Sequence, residues 1–217
     1  MQEIPLFPLQ TVLFPGALLR LHIFEERYKQ MINLCIEKEQ PFGVVLIRHG
    51  VEALGPLAEP YLVGTLAKII QVEQLPDERM NIAAIGQERF QILSLEPDLE
   101  SYLIGYVKPL LLLEHDQTYI DQKALRLHSQ VERYFQALSE AGMGQFDMAQ
   151  FPNDPVGFAY LSASLLQIAN EQKQAILAAE RAETLLAEVA KAYSRETALL
   201  KSFITRDLQG HDIFSRN

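Results

Sequence analysis

Cysteine is almost absent from this chain. Cys35 is the only one among 217 residues, so no internal disulfide can form and a thiolate-rich metal site is excluded. A single thiol fits a reducing compartment, and the cytoplasm is the expected location. Cys35 lies between Leu34 and Ile36 in a segment of helical spacing, and reads as packed core rather than as a nucleophile. Long hydrophobic runs are also scarce. Met1-Gln2-Glu3 leads directly into Ile4-Pro5-Leu6-Phe7-Pro8, without the basic start and apolar stretch of a targeting leader. The uncharged stretch of most interest, 155–170, is shorter than the roughly 20 residues of a membrane-spanning helix. It also carries Ser162, Ser164 and Gln167, so a buried helix accounts for it.

Basic clusters are missing too. Nineteen Lys and Arg against 28 Asp and Glu leave a net charge of −9, and both halves of the chain are acidic. Phosphate backbones are gripped by clustered Lys and Arg, so nucleic acid is not the favoured partner. The charge speaks chiefly for solubility. Motifs for chemistry fail one by one. Gly50-Val51-Glu52-Ala53-Leu54-Gly55 is followed by Pro56, which supplies neither the lysine nor the amide donor of a phosphate loop. Gly142-Met143-Gly144 has Asp147 where a dinucleotide fingerprint needs its third glycine. His22, His49, His115, His128 and His211 are scattered with no His-Glu-x-x-His pair, and no Gly-x-Ser-x-Gly elbow occurs. Glu25/Glu26 and Asp77/Glu78 read as a helix start and a solvated turn. The expectation is a protein with no catalytic residues, no metal and no cofactor.

What is present divides into two periods. With 48% hydrophobic residues the chain can bury a sizeable core. From Ile4 to Leu113 short β segments surround one helix. In 17–24, Leu19, Leu21 and Ile23 alternate against Arg20 and His22, and His22 reads as a strand histidine satisfied by a hydrogen bond rather than as a ligand. Tyr28, Met31, Ile32 and Ile36 then recur at helical spacing until Pro41. The run 42–47 is a continuous apolar strand covered on both faces. The β-rich runs 61–75 and 80–85 flank Pro76-Asp77-Glu78-Arg79 and form a hairpin. Gly86 marks a turn or bulge before 90–95, and 102–113 is a last strand interrupted at Pro109. Several strands closing on one core with a single helix suggest a small irregular barrel.

Beyond Glu114 helical spacing takes over. Ala124, Leu127, Val131, Tyr134, Phe135 and Leu138 share a face, and Gly142 to Gly144 end that helix. Asp154-Pro155 is a helix start, with the carboxylate as cap and proline at the first position. Asn170 is expected to cap a helix beginning at Glu171. A last helix over about 183–208 carries Leu185, Leu186, Val189, Tyr193, Leu200, Phe203 and Ile204, with Glu196 and Thr197 breaking the stripe. It packs on the other helices or is offered to a partner. Residues after Leu208, Gly210 among them, are expected to fray. The division expected is 1–113 for the strand-rich part and 114–217 for the helical part.

One block is unusually specific: Ile4-Pro5-Leu6-Phe7-Pro8-Leu9, then Val12-Leu13-Phe14-Pro15-Gly16, then Leu21-His22-Ile23-Phe24-Glu25-Glu26-Arg27-Tyr28. Pro5, Pro8 and Pro15 are expected to fix bends, Gly16 to allow a turn at positive φ, and Glu25 to cap the helix through its charge, with carboxylates in reach of Arg27. The order of these elements resembles the amino-terminal, substrate-binding domain of Lon proteases. Phe42 to Ile47, Gly64 to Ile69, Leu75 to Arg79, Gly86 to Phe90, Phe151 to Pro155 and Lys173 to Leu177 extend the likeness to about Phe203. It implies an α+β fold, a PUA-like mixed β-barrel with an inserted helix, followed by a C-terminal α-helical bundle. It also implies a substrate-recognition module, here expected to stand alone without the ATPase and protease modules.

The expected partner is polypeptide, with a separate ATP-dependent protease as a further candidate. Exposed apolar surface would carry recognition, near the proline-rich entry and the junction of the two parts. Phe7, Phe14, Phe24 and Tyr28 are the candidate protein-binding residues, each also readable as core. The rival reading is an RNA or small-ligand binder using the PUA-like barrel, which a fold alone does not assign.

Overall fold

The computed structural model describes residues 2–52, 58–96, 101–113, 116–144 and 147–214, with side chains as far as Phe203. Part of the glycine loop 50–56, His115 and the side chains of Ile204, Leu208 and His211 therefore lie outside the described residues. The architecture is α+β, with six strands in the order β2-β5-β4-β3-β1-β6 and an added pairing between β5 and β6. The strands are β1 (Gln2–Leu9), β2 (Leu18–Ile23), β3 (Phe42–His49), β4 (Glu59–Gln74), β5 (Met80–Glu96) and β6 (Leu103–Pro109). Because β6 pairs with both β1 and β5, the ladder β5–β4–β3–β1–β6 returns to its first strand. Ile4, Leu6, Val45, Phe90, Ile92, Leu103 and Val107 form the core cluster of these strands.

The prolines of β1 do not bend it. Pro5 faces Ile104 on β6 and Pro8 faces Val45 on β3, within one continuous strand. Each lies where the ladders place a partner strand on only one of its two edges. A missing N–H on the other edge then costs the sheet no bond. Phe42 to Ile47 is buried throughout, as a strand covered on both faces should be.

The expected hairpin forms between β4 and β5, and Asp77 and Glu78 adopt φ of 62° and 57° in its turn. Gly86, expected as a turn or bulge, makes no turn: β5 runs through it, with a register shift against β4 between the pairs Thr65–Arg89 and Ala67–Gly86. Gly86 stands opposite Gly16 and Ala17: Gly16 N–H donates to the Gly86 carbonyl at 2.8 Å, and Gly86 N–H donates to the Ala17 carbonyl at 2.9 Å. Gly16 sits at φ +78°. Two residues against one, with a left-handed glycine first, make a β-bulge at the entry to β2.

α1 (Glu26–Glu37) follows β2 directly and buries Tyr28, Met31, Ile32 and Cys35. Glu25 is its N-cap residue but makes no side-chain cap bond. Its carboxylate instead holds Arg27 at 3.0 Å, which leaves only its charge near the helix start.

The chain divides into two compact units, and the division does not fall at a single point. The first comprises Met1–Leu113 with Ala163–Glu180; the second comprises Glu114–Ser162 with Arg181–Asn217. In the first unit, α4 (Asn170–Leu177) is tied to the strands by polar contacts that sequence periodicity cannot register. Arg89 of β5 donates to the Leu177 and Ala179 carbonyls, each at 2.6 Å, and to the Leu110 carbonyl at 3.1 Å. Gln174 donates to the Val63 carbonyl at 2.9 Å. Asn170 is not a cap. The N-cap of α4 is Ala169, and the Asn170 amide donates to the Gln10 carbonyl at 2.6 Å.

In the second unit α2 (Gln117–Glu140) buries Ile120, Leu127, Val131, Tyr134 and Phe135. Gly142, at φ +74°, donates to the Ser139 carbonyl just past its end, as the glycine run suggested. α3 (Pro155–Leu165), whose residues 163–165 count with the first unit, is capped as expected: the Asp154 carboxylate accepts from Gly157 N–H at 2.6 Å. α5 (Ala182–Phe214) spans 33 residues, continuing past the expected end near Leu208. Among the described residues of its stripe, Leu185, Leu186, Val189 and Tyr193 are buried, while Phe203 is 61% exposed. Tyr193 packs edge-on to Tyr134 at 5.3 Å and donates its hydroxyl to the Ser162 carbonyl at 2.8 Å. Burial pushes its hydroxyl pKa up, with Tyr134 adding to the rise.

Candidate functional site

β1, β2 and the first turn of α1 are consecutive in sequence and line one cavity of about 260 Å³. Phe7 comes from the buried run of β1. Tyr28 comes from the inner face of α1, and the two rings stack at 4.0 Å with planes 19° apart. Each is only 5% exposed. The Arg27 guanidinium lies 4.7 Å over the Tyr28 ring and is held by Glu25, so cation, ring and carboxylate form one group. Burial pushes the Tyr28 hydroxyl pKa up; Arg27 opposes the shift, and Glu25 and Glu52 reinforce it. Glu52 completes the wall and accepts from Gln10 N–H at 2.6 Å.

Phe24 stands at the rim, 46% exposed, with its ring 6.0 Å from that of His22. His22 Nδ1 lies 2.8 Å from the Asn81 side-chain oxygen, and Asn81 donates to Glu73 at 2.9 Å. His22 is thus the hydrogen-bonded strand histidine read from the sequence. This polar row crosses β2, β5 and β4 and bounds a second, neighbouring cavity of about 420 Å³. Residues 20–22 line both cavities.

The structure therefore brings Phe7, Phe24 and Tyr28 around one cavity. Phe14 is elsewhere, fully buried with its carbonyl carbon and oxygen packed against Gly86. Arg20 was not among the candidates. Its one signal was the alternation of β2, which placed it with His22 on the face opposite Leu19, Leu21 and Ile23. Cys35 is buried, and burial pushes its thiol up to about 11. A thiol so held is overwhelmingly protonated near neutral pH and is a poor nucleophile. Among the described residues no group of three His, Cys, Asp or Glu side chains is placed to hold a metal ion. No described helix is long and apolar enough to cross a membrane. A recess of mixed lining, with a buried aromatic floor, one exposed aromatic and Arg20, His22, Glu25 and Glu52 in its walls, has room for a side chain.

Comparison with known proteins identifies what this arrangement belongs to. Residues 3–193 match the model of the ATP-dependent protease La (LON) substrate-binding domain. A Lon protease of Anaeromyxobacter dehalogenans is 23% identical over 204 residues, covering 91% of this chain and 24% of that protein. The protein cereblon of Xenopus tropicalis is 27% identical over 113 residues, covering 50% of this chain and 24% of that protein. This chain thus spans about a quarter of the length of these curated relatives. Among solved structures, the Lon N-terminal domain protein from Xanthomonas campestris superposes with a TM-score of 0.61 at 23% identity, covering 87% of this chain and 97% of that one. The N-terminal domain of the Mycobacterium avium complex Lon protease gives 0.66 at 16% identity, covering 89% and 98%. At these identities the two structures speak for a shared fold. With the match running over all six strands and on to Tyr193, the chain belongs to the Lon substrate-binding domain family.

Proposed function

We propose that this protein is a non-catalytic polypeptide-binding module that engages unfolded segments of other proteins at the cavity of Phe7, Phe24 and Tyr28. The family match over residues 3–193 carries the reading, because the matched domain is described by substrate binding. The cavity supports it with a buried aromatic floor and an exposed aromatic at the rim. We place the module in the cytoplasm, presenting bound chains to a separate ATP-dependent protease as an adaptor.

The test is capture of a permanently unfolded protein, reduced and carboxymethylated lactalbumin, followed by fluorescence anisotropy against its native form as control. The unfolded form alone should bind. Phe24→Ser should weaken binding about tenfold, the loss expected of one aromatic anchor, and its exposed position predicts an unchanged thermal melt. Equal binding of native and unfolded lactalbumin, or of neither, would overturn the reading.

A further inference from the structure

The cavity adjoins an unfinished edge of sheet. Among the described residues β2 pairs with β5 alone and ends the strand order. The bulge at its entry sets the phase of that pairing. The Ala17 carbonyl accepts from Gly86 N–H, so the hydrogen-bonded positions of the antiparallel ladder fall at Leu19, Leu21 and Ile23, opposite Ala84, Ile82 and Met80. Leu18, Arg20 and His22 then aim their backbone N–H and C=O groups away from β5. Such a row is a template for another strand.

Charge decides which strand. Arg20 is exposed and lines both cavities, and no carboxylate of the described chain pairs with it. Arg27, Lys29 and Arg79 of the same unit each hold an ion pair. Two copies of β2 pairing antiparallel about Arg20, the centre of the outward row, would set their two Arg20 side chains directly opposite each other, which disfavours that self-association. An incoming strand with an acidic side chain at that position removes the conflict and completes a charge-assisted hydrogen bond.

We propose that the outer edge of β2 receives an extended polypeptide segment as an added strand, with an acidic side chain on Arg20 and an apolar one in the cavity floored by Phe7 and Tyr28. This rests on the polypeptide-binding reading above and specifies its mode: main-chain bonds supply affinity, while Arg20 and the cavity supply selection.

The probe is a short fluorescein-labelled peptide alternating valine and threonine around one central glutamate, titrated against the full chain by anisotropy. Binding should fall about tenfold or more when the glutamate is replaced by lysine, and likewise with Arg20→Glu, the scale of a lost charge-assisted bond. Arg20→Glu should in turn prefer the lysine peptide. N-methylation of the peptide backbone at alternate residues in one phase should abolish binding, and in the other phase leave it intact. Leu18→Pro and His22→Pro each remove one outward N–H while sparing the ladder to β5; both should weaken binding, with circular dichroism checking the fold. If either proline variant unfolds, the charge swap still decides. Indifference to both N-methylation phases, or to the charge swap, overturns the proposal. Lactalbumin binding without peptide binding overturns it while leaving the broader reading intact; failure of both probes removes both.

Discussion

Gly86 shows how much one missing side chain can matter. A Cβ there would lie inside contact distance of the Phe14 carbonyl oxygen, a backbone atom that cannot swing away. Gly86→Ala is therefore expected to cost about 2–3 kcal/mol, the range for forcing atoms into a closed site. A urea melt should register it as a lower midpoint with little change in slope; a shift under about 0.5 kcal/mol would mean the bulge relaxes freely. The sequence marked Gly86 as a turn or bulge, but the proximity of Phe14 was not legible. That contact joins residues far apart in the chain, and periodicity reports only neighbours. Arg20 was obscure for a related reason. An arginine on an alternating strand is ordinary, and its lack of a partner becomes visible only when the carboxylates of other strands are placed.

Among the elements, α3 and α4 form a natural contrast. The sequence offers a cap residue for each, Asp154 and Asn170, yet only Asp154 acts as one; Asn170 is already inside α4, whose N-cap is Ala169. Asp154→Ala should lower stability by about 1 kcal/mol, the usual worth of a cap, and Asp154→Asn should restore most of it. Paired urea melts of the two variants check this, and equal loss in both would show that the cap bond is not what matters. Asn170 spends its amide on the Gln10 carbonyl instead. A cap is a local bond and can be read from adjacent residues; a bond across 160 positions cannot. β1 makes the same point with proline. Bends were the natural expectation, but β6 and β3 pair along different stretches of β1, and each proline falls where one edge carries no partner strand.

For the molecule as a whole, the assignment of Ala163–Glu180 to the strand-rich unit is the organising fact. Arg89 secures it through two carbonyls, those of Leu177 and Ala179, while also donating to that of Leu110. Arg89→Met keeps a long side chain but leaves these acceptors without that donor. It should destabilise by about 3 kcal/mol, as expected when bonds to a buried charge are lost, and raise hydrogen exchange in α4 more than in β3 or β4. Uniform exchange across the unit would contradict the view that Arg89 acts as a local tie. Periodicity assigned this segment to the helical part because it is helical. Its placement depends on a guanidinium contributed by β5.

Determined by the sequence alone were the kinds of element, their order, the caps at Asp154 and Gly142, and the family likeness carried by the proline-rich entry. These follow from hydrophobic period and from turn and cap chemistry, which act over a few residues. The ring of strand pairings, the cavity that gathers Phe7, Phe24 and Tyr28 while leaving Phe14 in the core, and the outward phase of β2 were decided only by tertiary structure. Each depends on bonds or packing between residues separated by long stretches of chain. No local propensity records which distant partner fills the space.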